Sequence, residues 1–505
     1  NEKNLLDEIA AIKIGADEYI AKNEIEPTSG SITYYEYNIR GFLSKETDAL
    51  GQSATYTHDY VGNVKTATDR NGAVTTNEYG PYGVTSTSIT DGTNIEKYIY
   101  TYDKMGNLTS TELYNNGTLE DTVTSTYDAF GREISKTSNG KTNKYSYDLN
   151  SNVINYQLLD GTTVKNDVDY TYNKVNLLTA ADVNGIMASY TYNGNGYLTK
   201  KKVGDNETTI IYNNLNLPTS YTTKVGDNIL NSYTYTYGVD GNRLSENDTV
   251  NNVNKTYEYD GAGRLVKETQ SGNVNRASSF TYDLRGNRTK ETVTGDENYV
   301  VTNTYDANNR LTNQSKTVNG SSAENVKYYY DANGNQTFKQ TYNYSQGGLM
   351  SVKGGNYQSG TVESFTYNLQ NQLTGYQSST KRASYDYGAD GLRKSKTVNN
   401  ITMQYVWDRG NLAAEISGST IGSIYNYGPD GIMSKETSNG DKTLYLKNAH
   451  GDVVGISGMS GNVFENYRYD AFGNVLSDSE PDRFGYCGEF LDNESGLVYL
   501  RNRYY

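Results

Sequence analysis

One phrase recurs along this 505-residue chain and limits what it can fold into: two tyrosines one residue apart, then Asp or Asn, two variable residues, Gly, Asn or Arg, and an aliphatic. Clear copies run from Tyr100 and Tyr102 through Asp103, Gly106, Asn107 and Leu108, and from Tyr257 and Tyr259 through Asp260, Gly263, Arg264 and Leu265. Tyr282, Tyr330 and Tyr469 head further copies, and worn ones stand at Tyr37, Tyr147, Tyr172, Tyr192, Tyr212, Tyr367 and Tyr387. Between Tyr192 and Tyr330 the tyrosines that precede the turn are spaced 20 to 25 residues apart. A period that slips in this way suits hairpins with outer loops of varying length and would destroy a coiled-coil register.

Strand side chains alternate, so both rings of Y-x-Y leave the same face. The Asp or Asn that follows bonds backbone two residues on, and the glycine three residues later supplies the positive φ that closes a turn. Each period therefore reads as a β-hairpin. A lone hairpin is marginal, so neighbours must pair edge to edge into a continuous sheet. The expected class is all-β, a spirally wound shell or solenoid of hairpins. Stacked tyrosines on successive hairpins would add cross-strand aromatic pairs of roughly 0.2 to 1 kcal/mol each. Only 35% of residues are hydrophobic even with tyrosine counted, so a sheet of this length is expected to leave its inner face in contact with water.

Composition narrows the function. With 51 Tyr, 9 Phe and 1 Trp the chain is not disordered. A net charge of −14 disfavours nucleic-acid binding by the repeat itself. The single cysteine, Cys487, permits no internal disulfide, and the two histidines, His58 and His450, cannot build a metal cluster on their own. No run of about 18 apolar residues suggests a membrane span. The chain starts at Asn1 with neither Met nor a signal peptide and reads as a segment of a longer protein. Two stretches break the repeat. Leu5, Ile9 and Ile12 share one helical face, so residues 1–28 are expected to hold a short N-terminal helix. The longer interval from Tyr330 to Tyr367 carries paired glycines and is expected to be a flexible excursion or a degenerate repeat. The organisation expected is a helical segment at 1–28, a repeat shell at 29–440 and a distinct closing segment at 441–505.

That closing segment runs from Phe484 through Gly485, Tyr486, Gly488 and the turn Asp492-Asn493-Glu494-Ser495-Gly496 to Leu500-Arg501-Asn502-Arg503-Tyr504-Tyr505. It resembles the signature that closes the Rhs-associated core, and the repeat resembles the YD repeat of the Rhs family. Tyr445 to Gly455 is also similar to a second segment of that core. The family includes bacterial Rhs and wall-associated polymorphic toxins, the C component of insecticidal toxin complexes, and teneurins. The resemblance implies a hollow β-shell enclosing a C-terminal toxic domain, which is the expected partner here and is expected to be basic. It also implies a self-cleaving, aspartate-bearing segment beyond Tyr505, so no catalytic residue is assigned. Tyr486, Gly488, Asp492, Gly496, Leu500, Arg501, Arg503, Tyr504 and Tyr505 are the structural core motif it implies. A secreted, cell-surface or wall location and contact with delivery machinery follow from the same resemblance.

Asp492 and Glu494 resemble a glycosidase dyad, but a turn explains them better, and Arg501 and Arg503 are expected to tie the end of the core to neighbouring strands. His450 and His58 read as turn residues, and Cys487 as a small buried hydrophobe. Isolated Asp and Asn residues are expected to form turns rather than Ca²⁺ sites, and no cofactor is expected. Rows of tyrosine beside Asn and Asp leave a cell-wall carbohydrate-binding or adhesion module as the alternative function.

Overall fold

The computed structural model describes residues 11–14, 18–22, 31–344, 359–477, 479–501 and 503–504. Among them the chain is almost entirely β, with 43 strands and one short 3-10 turn, Tyr486–Gly488. All strands but the last two belong to one antiparallel sheet, as the hairpin repeat requires. The helix expected over 1–28 is not present where that segment is described. Ala11–Ile14 and Glu18–Lys22 are strands, paired to each other and, through the second, to Tyr34–Asn38. β-Branched and aromatic residues favour strands, and a short isolated helix is marginal in water, whereas the edge of Tyr34–Asn38 offers a ladder to pair with. The rest of that segment, and the glycine-rich 345–358, lie outside the described residues.

The turn after Tyr282 shows how each hairpin closes. Asp283 N donates to Asn287 O at 3.0 Å and Gly286 N to Asp283 O at 3.1 Å. One carboxylate oxygen of Asp283 accepts Arg285 N and Asn287 N at 2.9 and 2.8 Å, and the other accepts Asn287 Nδ2 at 2.9 Å. Gly286 takes φ 86°, a conformation an L side chain rarely adopts. Where the repeat has lost this glycine, Ser151, Asn176, Asn216, Asn309 and Asn371 stand there at φ 60 to 67°. Where it has Arg for Asn, Arg132, Arg264 and Arg310 reach the same carboxylate oxygen through Nε at 2.7 Å. One acceptor thus organises the turn whichever donor follows.

The second tyrosine of each Y-x-Y lies beside a β-bulge, as at Tyr192, which pairs with Leu198 while Thr191 pairs with Lys200. In several copies its hydroxyl donates to a carbonyl on the preceding hairpin. Tyr102 reaches Val84 O at 2.9 Å, Tyr192 reaches Leu178 O at 2.7 Å, Tyr212 reaches Leu198 O at 2.9 Å and Tyr330 reaches Leu311 O at 2.7 Å. This bond between hairpins accounts for tyrosine rather than phenylalanine at that position. Facing ring pairs occur across the two strands of one hairpin, rather than between successive hairpins, at Tyr145 with Tyr156, centroids 5.7 Å apart, and Phe365 with Tyr376, 5.4 Å apart.

Two compact units divide the chain, each assembled from stretches distant in sequence. The first comprises residues 1–122, 282–290 and 299–382. Inside it hairpin turns about 260 residues apart are joined by polar contacts: Asn333 Oδ1 accepts Arg70 N at 2.9 Å, and Asn308 Nδ2 donates to Asp48 at 2.8 Å. The second comprises residues 123–281, 291–298 and 383–505. In it the strands from Lys141 to Tyr237 bury one face against strands from Ile401 to Gly458, around Leu158, Val168, Ala188, Val406, Ala414 and Leu446. Buried amides finish the join: Asn143 Nδ2 donates to Trp407 O at 2.9 Å and Asn231 Nδ2 to Lys447 O at 2.8 Å.

Replacing Tyr192 by Phe removes the hydroxyl and leaves the ring. It is expected to cost about 0.5 to 1.5 kcal/mol and to speed amide exchange in Leu178–Val183 and Ile186–Tyr192, measured by hydrogen-deuterium exchange. Unchanged exchange there would refute the hydroxyl bond as the link between hairpins.

Candidate functional site

In the second unit the strands Ile401–Asp408, Asn411–Ser417, Lys442–Lys447 and Val453–Gly458 are buried on both faces. One face meets the strands just described. The other is covered by the closing segment, whose rings pack edge-on: Phe490 on Tyr405 at 5.8 Å, Tyr499 on Trp407 at 5.6 Å, and Phe484 on Tyr425 and Tyr445 at 5.4 and 5.6 Å. A sequence poor in aliphatics can bury both faces here because its aromatic tail supplies the second layer.

Arg393 holds that layer in place. Its side chain is fully buried, and Nη1 donates to Asp492 Oδ2 at 2.5 Å and to Tyr504 Oη at 3.3 Å. The guanidinium lies 4.3 Å from the ring centre of Tyr499, 4.9 Å from Phe490 and 5.1 Å from Tyr405, so aromatic faces surround the charge. Lys396 Nζ bonds Asp492 Oδ1 at 2.8 Å and Glu494 Oε2 at 3.0 Å, and Tyr385 donates to Glu494 at 2.8 Å. Burial pushes the Asp492 carboxyl up, but Arg393 and Lys396 outweigh it and hold it below the usual carboxylate range. Two cations and two anions thus form a closed, neutral cluster. Asp492 is fully enclosed and ion-paired, so neither water nor a substrate reaches it, and the arrangement lacks what a glycosidase dyad needs.

The other residues of the closing segment are placed in its turns and beside neighbouring strands. Gly496, at φ 72°, closes the turn by donating to Asp492 O at 2.8 Å. Leu500 N donates to Arg503 O at 2.9 Å. Arg501 donates from Nε to Gly410 O at 2.8 Å and pairs with Glu489. Arg503 is exposed, and Tyr504 Oη lies 3.1 Å from Tyr387 Oη. Gly488 brings two turns together, since a Cβ there would stand 3.2 Å from Gly451 O. Tyr505 lies outside the described residues. Sequence reasoning missed Arg393 and Lys396. The only available signal was a pair of cations in the strand after a worn repeat, as in many other copies, and their partners lie about a hundred residues away.

Beside the closing segment lies a cavity of about 500 Å³ lined by Tyr237, Arg243, Glu246, Lys255, His450 and Asp452 among others. Glu246 is shared between Arg243 at 2.8 Å and Lys255 at 3.3 Å. His450 stands in a turn of the usual kind, its N–H donating to Asn448 Oδ1 at 3.0 Å, and its Nδ1 is 2.9 Å from Asp452 Oδ1. That hydrogen bond raises its pKa. Cys487, expected to be buried, is exposed in the 3-10 turn at φ 55°. The left-handed backbone at Cys487 turns the thiol away from the packed rings of Phe484 and Tyr486. Partial desolvation of the sulfur by the neighbouring turn, then Asp452 and Glu489, push the thiol up to about 11. The thiol is 4.0 Å from the same His450 nitrogen that faces Asp452, so no relay through both ring nitrogens exists to activate it. His58, in the first unit, stacks on Phe42 at 5.2 Å.

A family model described as the teneurin YD-shell matches residues 201–505. The tRNA nuclease WapA of Bacillus subtilis (strain 168) is 30% identical and the tRNA(Glu)-specific nuclease WapA of Bacillus subtilis subsp. natto is 33% identical, each over 38% of this chain. The match spans 8% of each relative's length. Among solved structures, TcdB2-TccC3-TEV covers 97% of this chain and 29% of its own, with TM-score 0.57 at 14% identity. A Photorhabdus luminescens Tc holotoxin pore covers 97% of this chain and 35% of its own, with TM-score 0.51 at 12% identity. At these identities the likeness is one of fold. Among the described residues no helix is long and apolar enough to cross a membrane.

Asp492→Asn keeps the shape of the side chain and leaves Arg393 and Lys396 undercompensated. It is expected to cost about 3 to 5 kcal/mol and to open the closing segment to limited proteolysis, whereas Arg503→Ala should change neither. Because the folded carboxyl titrates below its ordinary 3.8, its contribution is present above that value and lost as pH falls through the lower folded one. Protease resistance of the segment should therefore persist at pH 5 and fail only in strong acid.

Proposed function

The chain belongs to the teneurin YD-shell family, and from that premise we propose that it is the non-catalytic shell of a secreted or cell-surface polymorphic toxin, enclosing a C-terminal toxic domain before delivery. The observation that carries this reading is the clamped closing segment. Arg393, Asp492 and Tyr504 fix the end of the core against the sheet, so a domain continuing from it in a longer parent chain would start from an anchored point. The solvent-facing sides of the strands support it too. On Ile186–Tyr192 and Leu198–Val203 the residues turned away from the core are Met187, Ser189, Thr191, Thr199, Lys200 and Lys202, a mostly polar face.

The charge of −14 favours a basic cargo. Enzymes that attack nucleic acid are commonly basic because they must neutralise phosphates, and the two WapA relatives are named as tRNA nucleases. A basic nuclease domain is the cargo class we propose. Coexpression with the domain that follows in the parent gene, then protease challenge, tests containment. The cargo should resist digestion while the shell is intact and become sensitive in Asp492→Asn. A cargo digested freely beside an intact shell would rule out enclosure.

A further inference from the structure

Three ligand types meet beside the cavity, whose wall includes His450 and Asp452. His450 Nδ1, an Asp452 carboxylate oxygen and Cys487 Sγ all lie within 4.8 Å of one another. His450 and Asp452 belong to the turn between strands Lys442–Lys447 and Val453–Gly458, and Cys487 to the separate turn Tyr486–Gly488. We propose that these three side chains bind one borderline transition-metal cation, Zn²⁺ fitting best, with a fourth position left to solvent or a further ligand.

The ligand set selects the cation. A thiolate and an imidazole with one carboxylate suit Zn²⁺ or its neighbours, while Mg²⁺ and Ca²⁺ take oxygen shells. Zn²⁺ bonds of about 2.05 Å to nitrogen, 2.1 Å to oxygen and 2.3 Å to sulfur at tetrahedral angles place N and S about 3.6 Å apart and N and O about 3.4 Å apart. The separations here are 4.0 Å from Nδ1 to Sγ and 2.9 Å from Nδ1 to Oδ1. Adjusting them takes a few tenths of an ångström, within reach of side-chain rotation. A coordinating cation itself displaces the protons that thiol and imidazole carry.

The surroundings fix the carboxylate as outer-shell partners do. Asp452 Oδ1 accepts Cys487 N at 2.9 Å and Oδ2 accepts Asn448 Nδ2 at 2.8 Å. The His450 ring packs on Tyr486 at 5.3 Å, and Gly488 lets the two turns approach. His450 keeps 42% of its side chain exposed and Cys487 is exposed, so an ion can enter. Once bound, it would cross-link the closing segment to the sheet some 35 residues upstream.

The test titrates the whole, metal-free chain with Co²⁺ and then Zn²⁺. One equivalent of Co²⁺ should give the near-ultraviolet thiolate charge-transfer band and the strong visible bands of a tetrahedral site, both abolished by Zn²⁺. Cys487→Ser should lose the charge-transfer band, and Cys487→Ser and His450→Ala should each weaken Zn²⁺ at least about tenfold in competition with a chromophoric chelator, whereas His58→Ala should not. Far-UV circular dichroism without metal checks that the variants fold. A measurement on the unaltered chain stands apart from them. Cys487 is its only cysteine, so one equivalent of Zn²⁺ should slow its alkylation. No saturable binding at one equivalent, full affinity in Cys487→Ser, or an unchanged alkylation rate would each overturn the site.

Discussion

The bond from a tyrosine hydroxyl to a carbonyl of the preceding hairpin is what allows so polar a chain to hold a long sheet together. Backbone ladders pair strands in any sheet, but they do not fix how far one hairpin leans on the next. Tyr192 to Leu178, Tyr212 to Leu198 and Tyr330 to Leu311 do so with one donor and one acceptor each. The ring fills the space that aliphatic side chains would fill in an ordinary core, and its polar tip is satisfied where it ends. The Asp-centred turn sets the stage by presenting the tyrosine at the same place in every copy.

The closing segment uses the same residues differently. In the repeat tyrosine bonds a neutral carbonyl, whereas around Arg393 the rings of Tyr499, Tyr405 and Phe490 surround a buried guanidinium. A buried ion pair is weak evidence for stability but ties one partner to one place, because leaving either charge alone is costly. That makes the Arg393 cluster a device of register. It selects one docking of the tail on the sheet, where apolar rings alone would tolerate slippage.

Local chemistry was legible in the sequence. The positive φ at Gly286 and the acceptor role of Asp283 depend on residues within one turn, and the motif contains them all. Relations between turns were not. The tyrosine hydroxyl finds its acceptor on another hairpin, and Arg393 finds Asp492 across 99 residues of chain. The expected N-terminal helix failed for a related reason, since a three-residue apolar pattern competed with a strand edge that the pattern cannot see. The residue type of Cys487 points to the interior, yet its left-handed backbone turns it outward.

The joins between distant stretches carry a timing consequence for synthesis. Asn143 meets the Trp407 carbonyl 264 residues later in the chain. Hairpins can close as they leave the ribosome, but at roughly 5 to 20 residues per second this contact must wait roughly 13 to 50 s for its partner to be made. Through that interval the face of strands Lys141 to Tyr237 bearing Leu158, Val168 and Ala188 is without the strands that later cover it. The buried amides along that face, unpaired but able to hydrogen-bond water, would keep the waiting surface wetter and less adhesive than an aliphatic one.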